Sequence, residues 1–509
     1  MGALRDVDDG VLWRIVGALG LGEWQPLSLT CRAWRDSVLD FLRGLQELDL
    51  SSSGRPNLRC VACACPNLRE LYLSTLLIRS DSLLCAPQHL SKLQALHLRE
   101  CPLLTDAGLN AIFELSDLRS LDVSWASEFS DAPWSLAPAA LREFRGLGCE
   151  HLTERVVVHL ASRCPRLEVL HSSRHLNWIG ATRPELVAAL KTMVGLRDLS
   201  FQDIPLDDEL MYALACLPLL ARLELWSYNS EQYITDAGFT FLVETVGQSM
   251  TKISLDTFVF RGAGVLAALS STCEALQELL LEGTAPCTIG DVTGVRLPST
   301  LVKLRLVTCG LVGSMDCSHV QGLRYLWLFD NPGLETIISG GQQLKTLNLG
   351  STRCRRLENF DFCHVDLLDL SSIWLAERAL ELIVLSMPLL TRAVLGNNTL
   401  PSSLLIALLN NARCLKNLSL CGVGDRTGLS SLAQQLSETL PGAFAPSLEL
   451  LEIAEGSCAL LADWISVEQA TTVLRRIGKE VRLWMVEHGE HASPYGRLGG
   501  ADDSWLPGA

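Results

Sequence analysis

One pattern constrains this chain more than any other. Leucine, two variable residues, leucine, one variable residue and leucine appear together as Leu45-Gln-Glu-Leu48-Asp-Leu50. The pattern returns with good fidelity at Leu68, Leu93, Leu118, Leu196, Leu220, Leu276, Leu301, Leu323, Leu344, Leu415 and Leu448. Degenerate copies start at Leu141, Leu167, Met250, Val365 and Leu390, which makes seventeen starts at a mean spacing of about 25 residues. A leucine-rich composition alone does not hold such a register. Alternation within each copy predicts a short strand whose second and third leucines point inward. No single copy can bury that face by itself, so the copies must stack and stabilise one another.

The period falls within the 20–29 residues of leucine-rich repeats. The expected fold is therefore α/β: a leucine-rich-repeat solenoid, or horseshoe, with parallel strands on the concave face and helices returning outside. The stretches Thr105-Asp-Ala-Gly-Leu109 and Thr235-Asp-Ala-Gly-Phe239 read as helix starts, with a threonine cap and an aspartate at the positive dipole end. Leu109, Ile112 and Phe113 or Leu115 would then face the core. Leu48, Leu71, Leu96, Leu121, Leu279, Leu304, Leu326 and Leu347 are predicted to be buried on the strands.

The eighteen cysteines fit the same register. Cys101, Cys149 and Cys309 occupy the slot eight residues after the first leucine, where Asn331 and Asn398 stand in other repeats. Cys65, Cys164 and Cys273 end the preceding helices. Cys60, Cys63 and Cys65 might suggest zinc, but a second pair at zinc-site spacing is missing, so core thiols are expected and no metal. The ten histidines are scattered, with His97 and His171 at mid-strand, and no nucleophile elbow, phosphate-binding glycine loop or HExxH stands in the chain. No catalytic residue and no cofactor are expected.

Composition narrows the partners. The chain is 48% hydrophobic and 6% aromatic, which suits an aliphatic repeat core. A formal charge of −15 weighs against nucleic acid, whose phosphates need a clustered positive field. The first thirty residues lack the zones of a secretory signal, and no stretch reaches transmembrane length. The expectation is a cytosolic or nuclear protein with reduced thiols, no membrane contact and no stable homo-oligomer.

Residues 4–44 leave the repeat. They read as short amphipathic helices with Val11, Leu12, Ile15 and Leu19 on one face, then a break at Gly20–Gly22, then Leu27-Ser-Leu29-Thr-Cys31-Arg-Ala-Trp34. So small an all-α unit exposes apolar surface that the array or a partner must cover. Leu27 to Trp34 resembles the Leu-Ser-Leu-Val-Cys-Arg-x-Trp signature of an F-box, with Thr30 in place of valine. Val7 to Leu12 matches the F-box opening loosely, Asp8 standing where proline is usual and Gly10 where glutamate is. Leu98-Arg-Glu-Cys-Pro-Leu-Leu-Thr-Asp-Ala-Gly-Leu109 is similar to the cysteine-containing repeat of the F-box/leucine-rich-repeat family. The resemblance spans roughly residues 4–455 and implies the substrate receptor of an SCF-type cullin–RING ubiquitin ligase. Val7, Val11, Leu12, Ile15, Leu19, Leu27, Leu29, Cys31 and Trp34 would then dock the Skp-type adaptor, and the solenoid would hold a protein substrate. The ubiquitin chemistry would belong to other subunits, so this chain would not be an enzyme. The divisions are an F-box-like module at 4–44, the solenoid at 45–455, a C-terminal cap at 456–487 and a flexible tail at 488–509.

On the concave face the acids Glu47, Asp49, Glu70, Asp122, Glu143, Asp198, Glu224, Asp256, Glu278, Glu282, Asp369 and Glu452 outnumber the bases Arg99, Arg145, Arg222, Lys252, Lys303, Arg305 and Arg392. A basic partner segment and a solvated mixed-charge surface both fit that balance. One strand differs from the rest, because Tyr325, Trp327 and Phe329 all take concave positions. Lys303 and Arg305 stand beside them on the preceding strand, about 4.8 Å away. Rings flanked by cations are the composition of an interface hot spot; a covering loop is the other account. Trp226 and Arg222 are an outlying candidate. The alternative to a ligase subunit is a repeat scaffold or inhibitor without ligase role.

Overall fold

The computed structural model describes residues 32–51, 58–74, 89–173, 183–204, 206–227, 233–283, 287–340, 343–373, 375, 383, 386–395, 408, 411–419, 450–455 and 480–485. The chain forms two compact units: Met1–Gly290 with Val295–Leu301, and Asp291–Gly294 with Val302–Ala509. The expected adaptor-docking residues Val7, Val11, Leu12, Ile15, Leu19, Leu27, Leu29 and Cys31 lie outside the described residues. So do Asn398 and the expected cap helix at 462–479. Trp34 lies within helix α1 (Arg32–Gly44).

In the first unit ten parallel strands follow one another: β1 (Glu47–Asp49), β2 (Glu70–Tyr72), β3 (Ala95–His97), β4 (Ser120–Asp122), β5 (Glu143–Gly146), β6 (Val169–Ser173), β7 (Asp198–Gln202), β8 (Arg222–Trp226), β9 (Lys252–Phe258) and β10 (Glu278–Gly283). Each pairs in register with the next, so Leu48, Leu71, Leu96, Leu121, Phe144, Leu170, Leu199, Leu223, Ile253 and Leu279 form one continuous row. Every member of that row is buried. The period-2 pattern thus decides which side chains leave water, and the row forms a leucine-rich-repeat core.

The returns are helical: α2 (Leu58–Ala64), α3 (Asp106–Phe113), α4 (Arg155–Arg163), α5 (Arg183–Thr192), α6 (Asp208–Leu214), α7 (Asp236–Val246) and α8 (Gly264–Thr272). Leu109, Ile112, Phe113 and Leu115 all face the core, as the spacing predicts. Helix length follows repeat length. The 30 residues from Arg222 to Lys252 hold the 11-residue α7, and the 23 from Glu47 to Glu70 hold the 7-residue α2. Another 23-residue return, from Ser120 to Glu143, holds only a 3-10 turn at Ala132–Leu136. There the fully buried Trp134 fills the space, edge-on to Phe113 at 5.2 Å and to Phe144 at 4.6 Å.

Thr105 and Thr235 stand at the helix starts, but neither side chain caps its own helix. The bonds run between repeats instead. Asp208 in the first turn of α6 accepts from Thr235 N at 2.8 Å and from Thr235 Oγ1 at 2.6 Å. Asp106 holds Ser130 in the same way, Asp131 holds Thr153, and Asp236 holds the Arg261 amide. A Cβ at Gly238 would collide with the Asp208 carboxylate. The Thr-Asp-Ala-Gly phrase is therefore a clasp: threonine receives the preceding aspartate, glycine clears its path, and the new aspartate reaches forward.

The second unit departs from the expected helical returns. After a two-residue strand, β11 (Gly290–Asp291), its main strands are β12 (Lys303–Val307), β14 (Tyr325–Trp327), β16 (Thr346–Asn348), β18 (Leu367–Asp369), β19 (Arg392–Val394), β20 (Asn417–Ser419), β21 (Leu450–Glu455) and β22 (Glu480–Met485), paired in that order. From Lys303 to Leu367 they recur every 21 or 22 residues. The returns there are strands: β13 (Leu311–Cys317), β15 (Gly333–Ser339) and β17 (Arg356–Glu358) form a second parallel sheet. An extended chain rises about 3.3 Å per residue against 1.5 Å for a helix. Fewer residues therefore suffice to span the repeat, and Thr336, Ile337 and Ile338 favour the extended form.

The slot after each strand is filled as the register predicts. Cys101 and Cys149 donate from Sγ to Leu73 O and Val123 O, each at 3.2 Å. Asn331 does more: its Nδ2 donates to Leu306 O, Leu328 O and Phe329 O, and its Oδ1 accepts from Cys309 N and Leu311 N. Just before this slot the backbone turns left-handed, at Glu100, Trp125, Gly148, Asp203, Thr308, Asp330, Ser351 and Ser372.

Candidate functional site

The strands' odd positions stay on the open side of each sheet, and there the two units differ. In the first unit the face is charged and largely self-paired. Arg145 meets Glu143 at 2.7 Å, and Lys252 pairs with Glu224 and Glu278. His171 Nε2 lies 3.0 Å from Asp198 Oδ1, and Arg222 Nε lies 3.6 Å from Asp198 Oδ2. Burial alone raises the Asp198 carboxyl, but the bond to His171 and the charges of Arg222 and Arg145 outweigh it and hold it low. His97 stacks on Tyr72 with ring centroids 4.3 Å apart and planes 2° from parallel. No repeating signal in the sequence marks that stack, because the two residues are 25 positions apart and only the strand register joins them.

In the second unit the register sets Lys303 beside Tyr325 and Arg305 beside Trp327. The Lys303 ammonium lies 5.5 Å from the Tyr325 centroid and the Arg305 guanidinium 4.9 Å from that of Trp327. Phe329 continues the row beyond β14, its carbonyl receiving the Thr308 amide. Tyr325, Trp327 and Phe329 are each half-buried. The Trp327 Nε1 is closed off and bonds no described residue, so the part of the indole that meets water is its apolar carbon surface. Five of the seven residues that the sequence nominates thus come together on two adjacent strands. Trp226 and Arg222 do not join them: both stand on β8 of the first unit, where Arg222 turns to Asp198.

Asp369 was expected on the open face, but it is buried and accepts from Ser371 N at 2.9 Å and Ser371 Oγ at 2.7 Å. Burial pushes its carboxyl up. It braces a strand exit and leaves Arg392 as the one further charged side chain at the first and third positions of β12 to β20.

The chemistry of the thiols is that of core residues. Burial pushes Cys149 and Cys317 up to about 12, and Cys65, Cys164 and Cys354 up to about 11, so all stay protonated and weak as ligands or nucleophiles. Cys63 faces solvent while Cys65 faces the core, so the two do not converge. Among the described residues no group of three metal-ligating side chains comes together, and no helix is long and apolar enough to cross a membrane.

Comparisons with known proteins add little to this geometry. No family model matches the chain, and no curated protein matches it. Solved structures that resemble it include the functional domain of InlJ from Listeria monocytogenes, which includes a cysteine ladder, at TM-score 0.40 and 18% identity over 83% of this chain and 76% of that one. The internalin inlF from the same organism gives 0.39 and 12% over 77% and 95%. TLR13 in complex with ssRNA13 gives 0.37 and 17% over 78% of this chain and 65% of that one, just under two thirds of its length. Likenesses of that size carry no argument, and the repeat architecture rests on the strand register and burial of the chain itself.

Proposed function

We propose that this chain is a non-catalytic protein-binding subunit that captures a partner protein on β12 and β14. The observation that carries this is the convergence of Tyr325, Trp327 and Phe329 with Lys303 and Arg305, each cation set over a ring. Rigid rings give contact area at low conformational cost, and such residues dominate interface energetics. The cations hold the rings in place before a partner arrives, which lowers the cost of ordering them.

The finer reading is a substrate-recognition subunit of an SCF-type cullin–RING ubiquitin ligase, working in the cytosol or nucleus. It rests on the resemblance of Leu27 to Trp34 to an F-box and of the cysteine-containing repeats to that family. The F-box-like segment would dock a Skp-type adaptor, and the repeats would present the substrate to the ligase. Co-purification of the full chain with a Skp-type adaptor and a cullin tests it. Trp34→Ala should abolish adaptor capture and leave client capture intact, since truncating a buried tryptophan costs about 3–5 kcal/mol, more than so small a module can spare. Clients retained with no adaptor bound by the wild type would leave a repeat scaffold or inhibitor in place of a ligase subunit.

A further inference from the structure

Most left-handed positions at the strand exits carry a small or polar residue, and one does not. Trp125 has φ 64° and is 52% exposed. A positive φ is costly for a bulky side chain and persists only where the surroundings impose it. Two neighbours impose it here. The Trp125 amide donates to Leu147 O at 2.6 Å, and the indole lies over Gly148, where a Cβ would collide with the ring. Gly148 is itself left-handed, so this exit has been cleared to seat the indole face-up.

The surroundings of the ring are acidic. Glu100 occupies the same exit position one strand earlier, its amide bonded to Ser124 O at 2.8 Å. Glu128 and Glu150 are exposed on the exit loops of β4 and β5. On β1 to β4 the open positions hold Glu47, Asp49, Glu70 and Asp122 and no lysine or arginine. Arg99 is the basic residue at this exit, and it reaches Glu100 at 3.7 Å; the next, Arg145 on β5, is paired with Glu143. The exposed Arg119 stands at the other end of β4, six residues and about 20 Å of extended chain away.

We propose that Trp125 and the acidic exit edge around it form a second docking surface, one that takes an arginine- or lysine-bearing segment of a partner protein. The indole face attracts the cation, and Glu100, Glu128 and Glu150 supply the opposite charge. The same carboxylates repel phosphates, which sets the site against nucleic acid despite its aromatic ring. The surface is independent of the rings on β12 and β14 and stands or falls separately.

The test uses the full chain and fluorescence anisotropy with a labelled Gly/Ser peptide carrying three arginines. Matched peptides carry citrulline or glutamate at those positions, and an oligouridine serves as the nucleic-acid probe. Trp125→Asn removes the ring and tolerates the left-handed backbone. It should weaken the arginine peptide about two- to fivefold, the size of an exposed cation–π contact, while the melting temperature holds or rises. Trp125→Phe should keep most of the binding. A Glu100→Gln, Glu128→Gln, Glu150→Gln triple variant should weaken it and flatten its salt dependence. Trp327→Ala should bind the arginine peptide as the wild type does. Equal binding by wild type and Trp125→Asn overturns the proposal, as does preference for the glutamate peptide, for citrulline or for oligouridine. Should Trp125→Asn fail to fold, undiminished binding by the triple variant overturns it equally.

Discussion

The repeats before Gly290 return through helices, and those from Lys303 to Leu367 return through strands, yet both place the same leucines on the same inner row. The difference teaches that the inward strand is set by leucine register, whereas the return is set by how many residues remain to close the repeat. Repeats of 24–30 residues afford a helix of two to three turns, those of 23 a single short turn, and those of 21–22 only an extended chain. The joints differ as well. Helical repeats are clasped at their surface by aspartates such as Asp208, and their exit slots hold a thiol such as Cys101. In a strand-returned repeat the amide of Asn331 ties five backbone groups.

The sharpest way to break this comparison is to exchange the joints. Asn331→Ala should destabilise the second unit by about 3 kcal/mol or more, since each stranded buried backbone group costs roughly 1–3 kcal/mol. Cys101→Ala should cost about 1 kcal/mol, because a thiol donates weakly and a small residue still fills the slot. Urea unfolding followed by hydrogen exchange in each unit measures both. Equal losses would mean that the two kinds of joint are equivalent.

The aromatic face sharpens the contrast next. Trp327→Ala should weaken capture of a client protein about thirtyfold, matching an anchor worth roughly 2 kcal/mol, with little change in melting temperature. Arg305→Ala should cost less, about 0.5–1 kcal/mol, as an exposed cation–π contact does. A pull-down series alongside melting curves reads the two apart. Unfolding of Trp327→Ala would assign the ring to the core, and unchanged capture would move the partner elsewhere.

Much of this was legible in the sequence because it is periodic. Leu121 and Leu326 announce their burial by spacing, and Lys303 and Arg305 find Tyr325 and Trp327 by counting from the same leucine. What was not legible depends on geometry that spacing does not encode. The strand returns were hidden because Leu311–Cys317 and Gly333–Ser339 alternate no more visibly than a short helix face, and only the contraction to 21–22 residues marks them. Thr235 looks like a helix cap in one dimension, and its true partner, Asp208, lies 27 residues upstream. Asp369 shares its strand position with exposed residues, and its burial depends on Ser371 turning back onto it. Trp125 carries no signal at all, since φ cannot be read from a residue type that ordinarily avoids the left-handed region.

The clasp gives the third prediction. Asp208→Ala should destabilise the α6–α7 joint by about 1 kcal/mol, because a carboxylate that receives both an amide and a hydroxyl is a charge-assisted pair at an exposed site. Asp361→Ala should cost less, since Asp361 bonds Cys363 within its own turn and not across repeats. Thr235→Val should lose the hydroxyl half of the Asp208 effect and keep the amide half. An undiminished melting temperature in Asp208→Ala would show that stacking of the apolar rows alone joins the helical repeats.

The smallest expected effect uses pH to separate the units. His97 and His171 stand at strand positions of the first unit, whereas His319 and His364 of the second lie in turns. Burial holds the His97 imidazole below its ordinary value of 6.5, and Arg145 adds to this, against the opposing pull of Asp122, Glu70 and Glu143. In the unfolded chain the same imidazole takes up its proton at the ordinary value. As pH falls through 6.5 the unfolded state therefore binds more protons than the native state, and stability falls; above that pH both states are neutral and the contribution is flat. Comparing urea midpoints at pH 7.5 and about 5.5 should show a loss in the wild type that His97→Phe reduces. Phenylalanine keeps a ring against Tyr72 and cannot be protonated. The difference between the two proteins should be smaller than the Asp208→Ala effect and confined to amides of the first unit. The same acid-dependent loss in His97→Phe would place the titrating group elsewhere, with His171 and its Asp198 partner the next to replace.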